Sequence, residues 1–249
     1  MGDVLANIES LTGKVTVVTG ASSGIGSAIA RRFAEAGSTV VVSARRREKL
    51  EELVQQISAA GGRAIAIATD VTDYAQVKNL MDTVQRDLGR IDILVNNAGH
   101  AVAKSVLEST PEEMDAQIDS NLKGVSYGCH AALPYMVQQK EGHIINIGSI
   151  CSRNHYPNYA AYVAAKFGVL GFSRSLYEEV RGYGIRVNVL CPAAVNTAWA
   201  DVAGAELPWP REERLQPEDM AETALFCVTL PKRVQIDTLF LWPVCEPTV

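Results

Sequence analysis

Short runs of apolar and β-branched residues alternate along the chain with longer amphipathic stretches. The short runs are typical of buried strands, because Val, Ile and Thr favour extended structure over four to eight residues. Nearly continuous apolar runs, such as 15–18 and 144–147, predict strands covered on both faces. The strand candidates are residues 14–19, 39–43, 64–69, 91–95, 143–148, 185–190 and 234–240. Their alternation with helical patterns predicts an α/β, doubly wound fold with a seven-stranded parallel sheet flanked by helices on both faces.

Two helix starts are visible between these strands. Thr110 and Glu113 enclose Pro111 in a capping-box pattern, and a second start lies at Pro217. A long helical pattern also spans residues 159–181. Because ligands gather at the carboxyl ends of parallel strands, we expect function to lie in the residues that follow each strand.

Composition limits the kinds of protein this chain can be. With 249 residues and 47% hydrophobic residues, it can bury one substantial core, and we expect a single domain over residues 1–249. The net charge is -5 and no long basic run occurs, which argues against nucleic acid as a partner. The first ten residues lack a targeting pattern and no later run is long enough to cross a bilayer, so the expectation is a cytoplasmic protein that binds no membrane.

The cysteines give no sign of a disulfide framework or a metal site. They are odd in number, widely spread and free of any C-x-x-C spacing, which indicates reduced thiols and no bound metal. The five are Cys129, Cys151, Cys191, Cys227 and Cys245.

A glycine-rich turn, TGASSGIG at residues 19–26, directly follows the first predicted strand and opens into a helical pattern. Gly20 permits a tight turn, Gly24 lets the backbone approach a pyrophosphate, and Gly26 lets the helix pack closely on the strand. The free N–H groups and the dipole of that helix attract phosphate. The turn therefore predicts a dinucleotide site contacted by Gly20, Ser22, Ser23, Gly24, Ile25 and Gly26.

The second predicted strand is followed by three arginines, Arg45, Arg46 and Arg47. An acidic residue usually lies there and accepts hydrogen bonds from an adenosine ribose, but this chain has none. The planar donor fork of Arg45 suits a 2′-phosphate, and three arginines at a helix start oppose the helix dipole unless an anion lies nearby. We therefore predict NADP(H) in preference to NAD(H), contacted by Arg45 and Arg46. A solvated basic turn is the alternative.

The ends of the third and fourth strands carry further candidates for cofactor contacts. Asp70 and Val71 are placed to meet the adenine, and residues 96–99, NNAG, follow the fourth strand. Ordinary turn chemistry explains both segments equally well, because Asp and Asn cap helices and Gly tolerates positive φ. The predicted contacts are Asp70, Val71, Asn97, Ala98 and Gly99.

In their order and spacing, these segments resemble the short-chain dehydrogenase/reductase family along almost the whole chain. The shared elements are residues 19–26, Asp70, residues 96–99, Asn121, Ser149, the YVAAK segment at 162–166, and the turn at 192–197. The resemblance implies a Rossmann-type fold, a nicotinamide cofactor and a catalytic tetrad of Asn121, Ser149, Tyr162 and Lys166. It also implies that Asn121 braces a water that links Lys166 to solvent.

The chemistry of Tyr162 and Lys166 can also be argued from their spacing. They lie four positions apart in a helical stretch, so they share one face and can contact one ligand, including the cofactor. A phenol with a pKa of about 10 is a poor base at neutral pH, and a cation within a few ångströms lowers that pKa by about one to three units. The phenolate would take the alcohol proton in oxidation, and the phenol would return it in reduction. Ser149, directly after the fifth strand, can hydrogen-bond the substrate oxygen. Taken alone, each feature also fits a surface pair or a helix cap.

The substrate side is predicted mainly from the resemblance. It implies that the turn after the sixth strand contacts the nicotinamide through Pro192, Val195 and Thr197, although Ala193 replaces the usual glycine. Residues 198–216 are loop-like and correspond to a short substrate lid. Candidate pocket walls are His100, Cys151, His155, Tyr156 and Trp199. For the histidines and the tryptophan, a purely structural role is the alternative.

The sequence thus predicts an NADP(H)-dependent oxidoreductase that moves a hydride between nicotinamide and a carbonyl or alcohol, acting as a carbonyl reductase or alcohol dehydrogenase. One alternative is a catalytically silent NADP(H)-sensing protein. Another is an epimerase or dehydratase that uses bound cofactor transiently. By family analogy we expect a homo-oligomer, a tetramer or dimer, built from the helices at 111–138 and 159–181.

Overall fold

The computed structural model describes residues 10–247, and at their centre lies a sheet of seven parallel strands. The strand order is β3-β2-β1-β4-β5-β6-β7, so the order reverses beside β1. This topology confirms the predicted α/β fold. The sequence predicted that the first ten residues carry no targeting signal. Residues 1–9 lie outside the described residues. The strands are β1 Val15–Thr19, β2 Thr39–Ala44, β3 Arg63–Ala68, β4 Ile93–Asn96, β5 Gly142–Ile147, β6 Ile185–Pro192 and β7 Thr238–Leu241.

Helices connect the strands and cover both faces of the sheet. Within residues 10–247 the α-helices are α1 Gly24–Glu35, α2 Arg47–Ala59, α3 Tyr74–Leu88, α4 Pro111–Ile118, α5 Gly124–Gln139, α6 Ala160–Val180, α7 Trp199–Ala203 and α8 Pro217–Thr229. A π-helical turn, Asp119–Lys123, joins α4 to α5. The 3₁₀ turns are Ile150–Ser152, Arg181–Tyr183 and Arg211–Glu213.

The core lies in two layers, one on each side of the sheet. Val18 packs with Phe33 and the helices α1, α2 and α8, whereas its neighbour Val17 packs with Met81 and the helices α3, α5 and α6. Successive strand residues point to opposite faces, so a strand that is buried on both faces must be apolar throughout. All five residues of β1 are accordingly buried. Each fully buried large side chain contributes about 1.5–3 kcal/mol to stability.

The two helix starts expected from the sequence are present. Thr110 Oγ1 accepts a hydrogen bond from the Glu113 backbone N–H at 3.2 Å, and the Glu113 carboxylate accepts one from the Thr110 N–H at 2.9 Å. Pro111 is the first residue of α4, and Pro217 is the first residue of α8. Both helices are therefore set by local capping chemistry that the sequence displays.

The last strand begins later than the sequence pattern predicts. The apolar run at 234–240 predicted a longer strand, whereas β7 is Thr238–Leu241. The carbonyl oxygens of Val234 and Ile236 accept hydrogen bonds from the side chains of Arg186 and Asn188. Two side chains of β6 thus occupy carbonyl oxygens that would otherwise accept strand-to-strand backbone hydrogen bonds, and β7 begins only after them.

Two further elements differ from the expected helices and loops. The helix expected over 111–138 is divided by the π-helical turn between α4 and α5. The lid segment 198–216 was expected to be loop-like, but it contains α7 and the 3₁₀ turn Arg211–Glu213. Thr197 precedes the N-cap residue Ala198 of α7, and its Oγ1 accepts a hydrogen bond from the Trp199 N–H at 3.2 Å.

The described part of the chain is also informative about membrane-spanning helices, metal-binding clusters and disulfides. None of the helices between residues 10 and 247 has the length and apolarity that crossing a membrane requires. In the same part of the chain, no three His, Cys, Asp or Glu side chains gather in a way that could hold a metal ion. All five cysteines lie in this range and are free thiols.

Candidate active site

The glycine turn after β1 packs directly on the segment that follows β4. Gly20 has φ +64°, and a Cβ at this position would lie 2.7 Å from Ala98 Cα. A Cβ at Gly26 would lie 2.5 Å from Asn97 Nδ2, which donates hydrogen bonds to the carbonyl oxygens of Thr19 and Gly20 at 3.1 Å each. Any larger residue at Gly20 or Gly26 would force these backbones apart.

The amino terminus of α1 is arranged to receive an anion. Ser23 occupies the N-cap, but its side chain does not cap the helix; its Oγ accepts a hydrogen bond from Arg46 Nη2 at 3.3 Å. The first turn of α1 therefore keeps backbone N–H groups for a ligand. Gly24, with φ +55°, starts the helix, and a Cβ there would lie 3.1 Å from Thr197 Cγ2. The residues of this turn fit a pyrophosphate, because backbone donors, a close backbone approach and a cation meet there.

Two exposed arginines, Arg45 and Arg46, follow the carboxyl end of β2, and Arg46 contacts the glycine turn. Arg46 Nη2 donates to Ser22 Oγ at 2.9 Å, so this guanidinium lies over the turn itself. Arg45 precedes it, and its positive charge acts on His100 at the end of β4. Arg47, the first residue of α2, instead pairs with Glu51 at 2.8 Å. Arg46 thus contacts the glycine turn, whereas Arg45 follows the end of β2 and acts on His100 through its charge. The phosphate contact of the two arginines stays a prediction.

Asp70 and Val71, predicted to meet an adenine, lie half-buried after β3. Asp70 Oδ1 accepts hydrogen bonds from the Thr72 backbone N–H at 3.0 Å and from Thr72 Oγ1 at 2.8 Å. Val71 packs on the start of α5, where its Cγ2 would lie 2.9 Å from a Cβ at Gly124. The Asp70 carboxylate therefore stabilises its own turn, the alternative that the sequence left open.

Three members of the predicted tetrad meet at the carboxyl edge of the sheet. Ser149 follows β5, while Tyr162 and Lys166 lie on one face of α6, and all three are at least 92% buried, with exposures of 8%, 6% and 5%. Ser149 and Tyr162 are joined by a side-chain hydrogen bond. Lys166 Nζ lies 5.6 Å from the centroid of the Tyr162 ring and donates to the Ile147 carbonyl oxygen at 2.8 Å. A hydroxyl, a phenol and an ammonium group are therefore held within one small volume.

The fourth member, Asn121, lies in the π-helical turn and is 1% exposed. Its Nδ2 donates to the carbonyl oxygens of His100 at 2.6 Å and Gln117 at 2.8 Å. Its Oδ1 is buried and has no hydrogen-bond partner among the described residues. Within those residues, the hydrogen bonds of the Asn121 side chain thus run to the segment after β4 and to its own helix, rather than to Lys166.

Burial dominates the electrostatics of the phenol and the ammonium group. It raises the pKa of Tyr162, and the hydrogen bond from Ser149 only partly opposes it. Burial also lowers the pKa of Lys166 to about 8. The sequence led us to expect a lowered pKa for Tyr162. The structure gives the opposite direction, because removing a phenolate from water outweighs the nearby stabilising groups.

The predicted pocket walls are only partly brought together. An apolar cluster around the Tyr162 ring contains three of the five predicted walls, namely Cys151, Tyr156 and Trp199. The ring centroid of Trp199 lies 5.5 Å from that of Tyr162. His155 is exposed, and His100 instead lies 2.9 Å from Ser120 Oγ through its Nδ1. The members of the cluster around Tyr162 are Ala101, Cys151, Tyr156, Tyr159, Val163, Trp199, Ala203 and Ala205.

Tyr159 was not singled out by the sequence, although its ring centroid lies 6.4 Å from that of Tyr162. The spacing of three along one helix is the signal that could have found it. Glu246 was also missed. Its carboxylate accepts a hydrogen bond from the Ala194 N–H at 3.0 Å, so the carboxy-terminal segment reaches the turn after β6. No local pattern predicts that contact.

The turn after β6 contains the predicted contacts Pro192, Val195 and Thr197. Pro192 ends β6, and Val195 forms an isolated parallel bridge with Leu215, which ties the turn to the end of the lid. The Thr197 hydroxyl accepts a hydrogen bond from the Trp199 N–H, just before the N-cap residue Ala198 of α7. Ala193 lies in this turn, and its N–H donates to the Leu241 carbonyl oxygen at 2.9 Å, which ties the turn to β7.

Comparison with known proteins gives a consistent result along the chain. A sequence profile described as short chain dehydrogenase matches residues 14–207. An uncharacterised oxidoreductase of Staphylococcus aureus (strain USA300) is 37% identical over 234 residues, covering 94% of this chain and 99% of that relative. A closed form of serine dehydrogenase complexed with NADP+ is 34% identical, with a TM-score of 0.88 over 94% of this chain and 96% of that one. An alcohol dehydrogenase from the archaeon Thermococcus sibiricus, complexed with 5-hydroxy-NADP, is 29% identical, with a TM-score of 0.87 over 95% and 99% of the two chains.

Proposed function

The chain belongs to the short-chain dehydrogenase family of oxidoreductases, and from that premise we propose that it is an NADP(H)-dependent carbonyl reductase or alcohol dehydrogenase. The observation that carries the proposal is the meeting of Ser149, Tyr162 and Lys166 in one buried volume at the carboxyl edge of the sheet. Such an arrangement suits general acid–base chemistry on an oxygen atom of a substrate.

Tyr162 is the proposed acid or base. The phenol is protonated at neutral pH, the form that reduction of a carbonyl requires, and burial reinforces that form because it raises the pKa of Tyr162. Ser149, hydrogen-bonded to it, can donate to the same substrate oxygen as negative charge develops there. Lys166 has a pKa of about 8 and is therefore mostly charged at neutral pH. Its positive charge would stabilise negative charge that develops on the substrate oxygen. At neutral pH the site therefore holds the proton that reduction of a carbonyl needs.

The cofactor proposed for this site is NADP(H), which supplies or accepts the hydride when bound. The glycine turn and the α1 amino terminus would hold the pyrophosphate, and Arg45 and Arg46 would pair with a 2′-phosphate. The hydrogen bonds from Arg46 to Ser22 and Ser23 support this assignment, because they bring a guanidinium to the turn. The serine dehydrogenase and alcohol dehydrogenase structures that resemble this chain contain NADP+ and 5-hydroxy-NADP.

The proposed substrate class is a carbonyl compound with an apolar or aromatic substituent, or the corresponding alcohol. Cys151, Tyr156, Tyr159 and Trp199 form an apolar surface around the Tyr162 ring, which favours such a substituent. Burial raises the pKa of the Cys151 thiol to about 11, so Cys151 acts there as an apolar wall rather than as a nucleophile.

A direct assay tests the proposal. Purified protein is mixed with NADPH and a panel of aldehydes and ketones, and nicotinamide absorbance is followed. We expect consumption of NADPH that depends on the carbonyl. Tight NADPH binding without turnover would support the silent sensing protein, and isomerisation of product without net NADPH consumption would support the epimerase or dehydratase.

Three further expectations belong to the same proposal. We treat residues 1–249 as one domain, since all strands of the described part join one sheet. We propose a homo-oligomer, dimer or tetramer, in which Phe167 on α6, with 44% of its surface exposed, is covered by a second copy. We propose a cytoplasmic protein, because five free cysteines suit a reducing compartment.

A further inference from the structure

Glu246 reaches the turn after β6 from the carboxy-terminal segment at 242–247. Its Oε2 accepts a hydrogen bond from the Ala194 backbone N–H at 3.0 Å. The Glu246 N–H donates to the carbonyl oxygen of the buried Pro243 at 3.1 Å. The segment therefore forms a turn of its own, which begins at Pro243 and brings the Glu246 side chain back to Ala194.

Ala194 is the residue at which the chain leaves the sheet after β6. The Ala193 N–H still donates to the Leu241 carbonyl oxygen at 2.9 Å, beside the last paired residues of β6 and β7, Pro192 and Leu241. The Ala194 N–H lies beyond that ladder, and Ala194 is 8% exposed. A buried backbone N–H needs an acceptor, and here a side chain 52 residues away supplies it.

The carbonyl group of Ala194 is held separately, by the end of the lid. Its oxygen accepts a hydrogen bond from the Leu215 N–H at 3.0 Å. Cys245, the neighbour of Glu246, donates from its Sγ to the Glu213 carbonyl oxygen at 3.3 Å. The lid end therefore supports the turn on one side and Glu246 supports it on the other, and Cys245 joins the two supports.

Glu246 acts in this contact as a hydrogen-bond acceptor. Burial raises the pKa of its carboxyl, and the interaction that opposes this rise is the hydrogen bond from Ala194 rather than a neighbouring cation. The contact therefore uses an acceptor oxygen, which a glutamine amide also has. The charge of Glu246 also acts on Cys151 and Tyr156, two walls of the proposed pocket, so the contact lies at the candidate site.

Resting on the proposed function, we propose that Glu246 is a positioning residue: by accepting the Ala194 hydrogen bond, it holds the turn at 192–197 in the form that contacts the nicotinamide half of NADP(H). The family resemblance assigns that contact to residues of this turn. Glu246 acts through Ala194 and need not touch the cofactor. The adenosine half would bind at the glycine turn and the arginines after β2, so loss of the Glu246 contact should affect the nicotinamide half alone.

Two ligands separate the halves of the cofactor in a binding experiment. NADPH contains both halves, whereas 2′,5′-ADP has the adenosine phosphates and lacks nicotinamide. Calorimetric titration gives the affinity for each. Glu246→Ala should weaken NADPH binding about tenfold and leave 2′,5′-ADP binding within about twofold of the wild type, because a turn that is competent about one tenth of the time lowers apparent affinity about tenfold. Glu246→Gln keeps an acceptor oxygen and should bind both ligands within about twofold of the wild type.

Glu179 provides the matched control, because it is an exposed glutamate near the end of α6, before β6 starts, whereas the turn follows the end of β6. Glu179→Ala removes the same charge and should leave both affinities unchanged. Equal NADPH affinity in the wild type and Glu246→Ala overturns the inference. An equal loss for NADPH and 2′,5′-ADP overturns it as well, and so does a Glu246→Gln variant that binds NADPH as weakly as Glu246→Ala.

A second measurement needs neither cofactor nor turnover. Hydrogen exchange of the unliganded protein, followed by mass spectrometry, reports how often the amides of the turn open. The wild type should protect the Ala194 amide, and Glu246→Ala should exchange it on the order of tenfold faster, with β1 and β5 unchanged. An Ala194 amide that exchanges freely in the wild type overturns this role even if Glu246→Ala does not fold. A wild type that binds no NADPH removes the proposed function and this role with it, whereas unchanged exchange at Ala194 in Glu246→Ala removes this role alone.

Discussion

The indole of Trp199 lies against the ring of Tyr162, with centroids 5.5 Å apart and ring planes inclined at 50°. Trp199 is the first residue of α7 in the lid segment, whereas Tyr162 lies on α6. The lid thus contacts the proposed acid itself and closes the apolar side of the site.

This contact predicts that Trp199 contributes to substrate binding. Trp199→Ala should raise KM for an aryl ketone on the order of tenfold, since losing an aromatic contact costs about 1–3 kcal/mol, and Trp199→Phe should retain most of the affinity. Steady-state kinetics with an aryl and a short alkyl ketone measure the effect. Trp209→Ala removes the other lid indole and serves as the control. Equal KM values for the wild type and Trp199→Ala would assign Trp199 to anchoring the lid alone.

Tyr162→Phe removes the proposed proton donor and keeps the ring. Turnover should fall by about 10²–10⁴-fold, the usual contribution of a positioned acid, while NADPH affinity stays near wild type. Stopped assays for rate and fluorescence titration for NADPH separate the two quantities. Retained turnover would remove Tyr162 from the role proposed here.

Much of the fold was visible in the sequence because it is set by local rules. Buried parallel strands must be apolar throughout, so β1 and β5 stand out as continuous runs, and the capping box at Thr110 marks the start of α4. The bounds of elements that depend on contacts between distant parts of the chain were harder to predict from the sequence. The start of β7 depends on side chains of Arg186 and Asn188, which lie about 48 residues earlier in the chain.

The same division holds at the candidate site. The spacing of Tyr162 and Lys166 predicted that they share a helix face, and the structure places them on one. The direction of the Tyr162 pKa could not be predicted, because it depends on how deeply the fold buries the phenol. The pairing of His100 with Ser120 depends on a π-helical turn, for which the sequence carries no periodic signal.

Arg45→Ala should weaken NADPH binding on the order of tenfold or more and leave NADH binding almost unchanged. A charge-assisted contact to a phosphate is worth about 1.5–3 kcal/mol, and NADH lacks the phosphate. Titration of both cofactors against the variant measures the difference. Arg47→Ala is the control, since Arg47 pairs with Glu51 on α2. Equal losses for NADPH and NADH would exclude the phosphate contact.

An oligomer should be evident from mass in solution. Phe167 is 44% exposed on α6, and a second copy covering it would remove apolar surface from water. Light scattering should give a multiple of the 26.9 kDa chain, and Phe167→Asp should shift it toward the monomer. A monomeric mass for the unaltered protein would contradict this proposal.

Lys166 should make stability rise with pH in the alkaline range. Burial lowers its pKa in the folded protein from 10.5 to about 8, so between these values the unfolded chain binds more protons than the folded one. The free energy of unfolding therefore increases as pH rises from about 8 toward 10.5, by about 3 kcal/mol. Below that window the ammonium is charged in both states and the gain is absent. Tyr162 has the opposite sign above about pH 10, because its raised pKa keeps the folded phenol protonated there.

The comparison that isolates this term is the wild type against Lys166→Met, which keeps the length of the side chain and cannot titrate. Tyr162 and the buried cysteines are present in both proteins, so their contributions largely cancel in the difference. Urea unfolding at several pH values from about 7 to 10 should give a stability difference that grows in favour of the wild type as pH rises. Parallel curves for the wild type and Lys166→Met would mean that the folded protein does not bury an ammonium group beside Tyr162, and the proposed site would lose its cation.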